Sequence, residues 1–127
     1  MDNDFLNKKL NQLKIEDFIW FIYIGIIFMS WYANSLERKY FIYNNIESKE
    51  KYRKIMIFIF SILIIVYFYF LKDSYDDVKN MNPCESEEVK KLTFLSYIGS
   101  LLIFISGVIF LYIAIKDEEL NVELAFN

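Results

Sequence analysis

Residues 92–115 read LTFLSYIGSLLIFISGVIFLYIAI, a run without a single Asp, Glu, Lys or Arg. A hydrocarbon core about 30 Å thick is crossed by roughly 20 apolar residues in a helix, so this run alone is long enough to span a bilayer. Two similar runs lie upstream. Residues 55–71, IMIFIFSILIIVYFYFL, reach the lower limit of about 17 residues. Residues 18–32, FIWFIYIGIIFMSWY, are shorter, but Trp20, Trp31 and Tyr32 suit the headgroup level and lengthen the usable span. Charged residues make up 24% of the chain, yet all of them fall between or outside these runs. The run at 55–71 is apolar on every side, where a soluble helix in so small a domain shows one polar face. Its Ile and Phe content suits a strand, but strands stop after about 4–8 residues at turn signals. In lipid the backbone must satisfy its own hydrogen bonds, so the helix wins.

The expected fold is therefore all-α: an integral membrane three-helix bundle whose helices extend beyond the bilayer. It is a single domain of 127 residues, with spans at 18–33, 55–71 and 92–115. A secretory signal is a poor reading of the first run, because bulky Trp31 and Tyr32 stand where a cleavage site needs small residues. Before it, Phe5, Leu6, Leu10 and Leu13 share one side of residues 1–15. That segment is an amphipathic helix with Lys8, Lys9 and Lys14 turned to headgroups, or a flexible terminus. Asn44 and Asn45 mark a break, placing the second helix over residues 46–79. Asn82, Pro83 and Glu85 match the N-cap, N1 and N3 positions, which starts the third helix at Pro83. Residues 116–127 form a short acidic tail.

At 100° per residue, Ser96, Gly99, Ser100, Ser106, Gly107 and Ala114 gather on about one third of the third helix. Small residues let helices approach closely in lipid, and Ser hydroxyls bond across them. The stripe is read as the face that meets the first and second helices, with contact between copies of the chain as the alternative. Tyr23, inside the first run, is expected to bond a backbone carbonyl or a Ser. Arg38, Lys39, Lys49, Lys51, Arg53 and Lys54 cluster after the first span. They fix topology by the positive-inside rule, or hold anionic headgroups. Lys and Arg divide seven against seven between the two sides. The cluster beside the first span tips the orientation to N-terminus outside and C-terminus cytoplasmic in a cell membrane.

Several functions lack their residues. No span holds an ionisable side chain of the kind that proton relays and transporters use. With no His and one Cys, Cys84, the chain lacks a disulfide framework and most zinc sites, and Cys84 reads as an ordinary loop thiol. The net charge of −3 gives no reason to expect nucleic acid. The acidic groups Asp73, Asp76, Asp77 and Asp117, Glu118, Glu119 read as solvated cuffs around the spans. No enzyme, cofactor or metal is implied. The partners expected are the bilayer, with a homo-oligomer or larger membrane complex.

The words IEDFIW, NSLERKY and SEEVKKLTFLSYIGSLLIFISGVIFLY around the first and third spans resemble small three-span membrane proteins of AT-rich, low-GC Gram-positive bacteria. The resemblance covers most of the chain and implies a three-span bundle. That family has no assigned activity, so no functional residue carries over. The function expected is a structural or accessory membrane component acting through helix–helix contacts. The alternatives are a holin-like oligomeric pore, against which the acidic tail KDEELNVELAFN counts, and an immunity protein that shields the membrane from a peptide toxin.

Overall fold

A computed structural model describes residues 3–124. Three helices, α1 (Asn3–Tyr43), α2 (Ile46–Lys79) and α3 (Glu87–Lys116), run up, down and up, with no strand among the described residues. With 41, 34 and 30 residues they are roughly 62, 51 and 45 Å long at 1.5 Å per residue, well beyond a 30 Å hydrocarbon core. Both α2 and α3 are long and apolar enough to cross a membrane. The segment before the first run is helical from Asn3, continuous with the rest of α1.

The break between α1 and α2 follows from two asparagines. Asn44 takes the left-handed conformation at φ 53°, which Asn tolerates better than most residues because its short side chain bonds locally. Asn45 is the N-cap of α2, its side chain accepting from the Ser48 N–H at 3.1 Å. The start of α3 differs from the expectation. Asn82 and Pro83 do not begin the helix: the Asn82 side chain accepts from Cys84 N–H at 2.9 Å and its carbonyl from Glu85 N–H at 3.0 Å, closing a turn. Ser86 is the N-cap, accepting from Val89 N–H at 3.2 Å. Pro83 suits the second position of a turn as well as the first turn of a helix, and Ser86, followed by Glu87 and Glu88, supplies the stronger start.

α2 is the middle of the bundle. α1 packs on one side of it and α3 on another, and among the described residues α1 and α3 do not pack against each other. The seams have heptad spacing: Ile19, Ile26 and Ala33 on α1; Tyr52, Met56, Ile59, Leu63 and Val66 on α2; Gly107 and Ala114 on α3. Alternating steps of three and four residues keep one stripe against its neighbour. Met56, Ile59, Phe60 and Leu63 form the most buried cluster. Phe60 stacks on Phe110 with ring centres 5.7 Å apart, and Phe68 meets Phe104 at 5.9 Å. Outside these seams the helices turn bulky apolar side chains outward, among them Phe21, Phe28 and Trp31 on α1, Ile65 on α2 and Leu102 and Tyr112 on α3.

Candidate functional site

Because α1 and α3 stand apart, a cleft of about 380 Å³ opens between them over one side of α2. Tyr23 contributes the α1 wall, Tyr67, Asp73 and Asp77 the floor, and Ser96 and Ser100 the α3 wall. Toward the chain's N-terminal end the cleft widens under the loop at 80–86, sharing Ser74, Asp77 and Ser96 with a bowl of about 820 Å³ that Phe5, Asn82 and Glu85 also line. In the other direction it shares Tyr67 and Ile103 with an apolar recess of about 340 Å³ bounded by Phe60, Leu102 and Phe110. Acidic, hydroxyl-bearing and apolar walls thus follow one another from the bundle end to its middle.

Within this cleft the Gln12 amide donates to Asp73 at 2.7 Å, tying α1 to α2. Ser74 and Ser100 share a 2.9 Å hydrogen bond, tying α2 to α3. Asp77 is held above the usual carboxylate range by burial first, then by Asp73 and Asp76, against the opposing pull of Lys8 and Lys9. The cuff at Asp73, Asp76 and Asp77 is therefore not simply solvated, since Asp73 joins two helices. Tyr23 does not bond a carbonyl or a Ser: its ring meets Trp20 edge-on at 5.6 Å, and its hydroxyl, like that of Tyr67, has no hydrogen-bond partner among the described residues.

The stripe on α3 is divided by the same geometry. Gly107 and Ala114 are buried against α2, and Ser100 bonds to it. Ser96 and Ser106 are exposed and line the cleft and its inner recess. A side chain added at Gly99 would meet nothing within 4 Å, whereas at Gly107 it would meet Tyr67 at 3.0 Å. The expectation that this face meets both other helices is corrected: it meets α2 alone. A 100° sector is wider than a heptad seam, so it takes in residues beside the contact as well as in it.

The opposite end of the bundle carries the basic cluster. Lys49 is buried, its ammonium 3.4 Å from Glu119 and 5.3 Å from the centre of the Tyr40 ring. Arg53 donates to the Ile115 carbonyl at 3.0 Å, satisfying a free C-terminal group of α3, and approaches Glu50 at 3.6 Å. Lys51 pairs with Glu47 at 3.5 Å, while Arg38, Lys39 and Lys54 face outward. The described part of the acidic tail, residues 117–124, is folded too. Asp117 caps it by accepting from the Asn121 and Val122 N–H groups at 3.0 and 2.8 Å. Leu120 takes φ 56°, and Leu124 is buried beside Tyr52, Met56 and Ala114. A left-handed Leu costs roughly 1–2 kcal/mol, which capping and the burial of Leu124 offset. The reading of Asp117, Glu118 and Glu119 as a solvated cuff is thus incomplete: Asp117 caps the tail, and Glu119, although largely exposed, pairs with Lys49.

Cys84 is exposed in the loop before α3. Among the described residues no group of three or more Cys, His, Asp and Glu side chains converges as metal donors. No protein-family model, curated protein or solved structure matches the chain.

Proposed function

We propose that this chain is a three-span integral protein of the cell membrane, with α1 as the additional span, serving as a structural or accessory component through helix–helix contacts rather than as an enzyme. The observation that carries this reading is the placement of bulky apolar side chains. Phe21, Phe28, Trp31, Ile65, Leu102 and Tyr112 are each more than half exposed, whereas the interhelical polar contacts lie toward the two ends. In water, contiguous apolar surface of this kind is a liability; in acyl chains it is solvated.

Fractionation tests insertion. The chain is expected in the membrane pellet after alkaline carbonate and in solution only with detergent; a compact monomer in detergent-free buffer refutes the reading. The orientation with N-terminus outside puts Cys84 on the external face, so an impermeant maleimide added to intact cells is expected to label it. Labelling only after lysis reverses the orientation. Affinity purification in mild detergent tests the accessory role: a stoichiometric membrane partner is expected, and repeated recovery of the chain alone argues against it.

A further inference from the structure

We propose that the cleft between α1 and α3 holds one phospholipid with a phosphoethanolamine head, admitted sideways from the bilayer. This inference rests on the membrane reading above. The chemistry of the walls is ordered as such a lipid is. At the rim, Lys8 stands on the face of α1 between Phe5, which lines the bowl, and Gln12, which donates to Asp73; across from it Asp77 of α2 lines the cleft, and Asp73 lies on the next turn inward. A head carrying a phosphate and a primary ammonium pairs with both signs at once. An anionic head meets the carboxylates unfavourably, and a quaternary ammonium has no N–H to give them. A primary ammonium has three donors, and charge-assisted bonds to carboxylate are the stronger kind.

Below the rim come the hydroxyls of Ser96, Tyr23 and Tyr67. The two tyrosine hydroxyls line the open cleft and have no hydrogen-bond partner among the described residues, so each is free to donate to a ligand there. Ester and glycerol oxygens of a lipid are acceptors at that level. From Asp77 to Tyr67 the floor of the cleft runs about 15 Å along α2, roughly half a hydrocarbon core. Beyond lie Phe60, Leu102, Ile103 and Phe110, a mostly apolar recess with Ser106 in its wall, suited to an acyl chain.

The test uses the full chain, stripped of lipid in mild detergent, with matched-chain phosphatidylethanolamine, phosphatidylcholine and phosphatidylglycerol offered at equal concentrations and read by native mass spectrometry. One phosphatidylethanolamine per chain is expected, with each competitor held about tenfold more weakly, as the loss of a charge-assisted bond implies. Asp73→Asn combined with Asp77→Asn is expected to abolish the preference over phosphatidylcholine while circular dichroism shows the helices intact. Ser96→Leu, at an exposed position in the throat, is expected to reduce retention of all three lipids. Equal retention of the three, no lipid at stoichiometric level, a preference that survives the double substitution, or a lipid-free dimer closing the cleft with a second copy would each overturn the proposal. Failure of the membrane reading is seen separately, as a chain that stays monomeric without detergent.

Discussion

Gly107 and Gly99 lie on the same third of α3, and the packing predicts opposite responses to one substitution. A Cβ at Gly107 stands 3.0 and 3.3 Å from two carbons of the Tyr67 ring and 3.5 Å from Ile64. An Ala there needs the ring to yield by a few tenths of an ångström, and Tyr67 borders the open cleft, so it has room to do so. The strain is then set against the gain of about 0.5–1 kcal/mol from removing a helix-interior glycine, leaving Gly107→Ala close to neutral. Leu is different. Its further carbons cannot share the space between Tyr67 and Ile64, and α3 must move away from α2 or take strained rotamers. Overpacking of this kind costs about 1–3 kcal/mol.

At Gly99 a Cβ meets nothing within 4 Å, so Gly99→Leu escapes the clash and keeps the helix-propensity gain. Thermal unfolding followed by far-ultraviolet circular dichroism in one detergent measures both. Gly107→Leu is expected to lower Tm by roughly 5 °C or more, by the scaling for small domains, and Gly99→Leu to leave it unchanged or raise it. Equal effects at the two glycines, or an unchanged Tm for Gly107→Leu, would refute the assignment of the α2–α3 seam.

Three further outcomes follow from the ends of the helices. Ser86→Ala is expected to destabilise α3 by about 1 kcal/mol through loss of its N-cap, and Asn82→Ala by less, measured by chemical or thermal unfolding. A larger effect at Asn82 would restore the start of α3 to Pro83. Lys49 and Glu119 are expected to couple by about 0.2–1 kcal/mol in a double-mutant cycle with Lys49→Met and Glu119→Gln, fading with salt, because Glu119 is 64% exposed; no coupling at low salt would remove the pair from the account. For Asp77 the folded state binds its proton more tightly than the unfolded chain, whose carboxyl titrates near 3.8. Its contribution is therefore fully favourable below that pH and is lost as pH rises through the raised folded value. In lipid-free detergent Asp77→Asn is expected to exceed the wild type slightly in Tm near neutrality, the difference shrinking toward pH 4; a constant difference across that range would count against a raised folded value for this group.

Features written into consecutive residues were legible in the sequence. The Asn44–Asn45 break and the extent of α2 follow from local preference alone, since one Asn tolerates a left-handed backbone and the next accepts from a helix N–H. Competing local signals were not separable: both Asn82-Pro83 and Ser86 can cap a helix, and the choice is visible only in which side chain faces Val89 N–H rather than Cys84 N–H. The stripe on α3 gave the correct helix face but not its neighbour, because helical phase says nothing about whether α1 lies close enough to share it. Most of the cleft was missed for the same reason, its Tyr23, Asp73 and Ser96 being brought together from three helices. The tail did carry a signal. Leu120, Val122 and Leu124 alternate with the polar Asn121 and Glu123, a pattern that a freely solvated segment has no reason to hold, and Leu124 is the one of the three that is buried.

The two ends of the bundle are built differently, and that difference bears on where the chain meets other molecules. At the end holding Lys49, the tail returns over α2, Leu124 fills the notch beside Ala114, and Arg53 occupies a terminal carbonyl of α3. Contacts there run between α1 and α2 through Tyr40 and Lys49, and between α2 and the α3 tail through Lys49 and Glu119. One buried ammonium thus binds the chain's three parts together. At the end holding Cys84 the hydrogen bonds that cross the helices are Gln12 to Asp73 and Ser74 to Ser100, with the Tyr75 and Tyr97 ring centres 6.0 Å apart between α2 and α3, and the space between α1 and α3 stays open. A bundle clasped at one end and parted at the other admits a ligand where few native contacts must break. Loosening the clasp, as Lys49→Met does, is thus expected to alter stability without altering what the cleft retains. Substitutions at Asp73 and Asp77 are expected to change which lipid the cleft retains, beyond any effect on stability, and a Lys49 variant that changed lipid selectivity would show that the two ends are not independent.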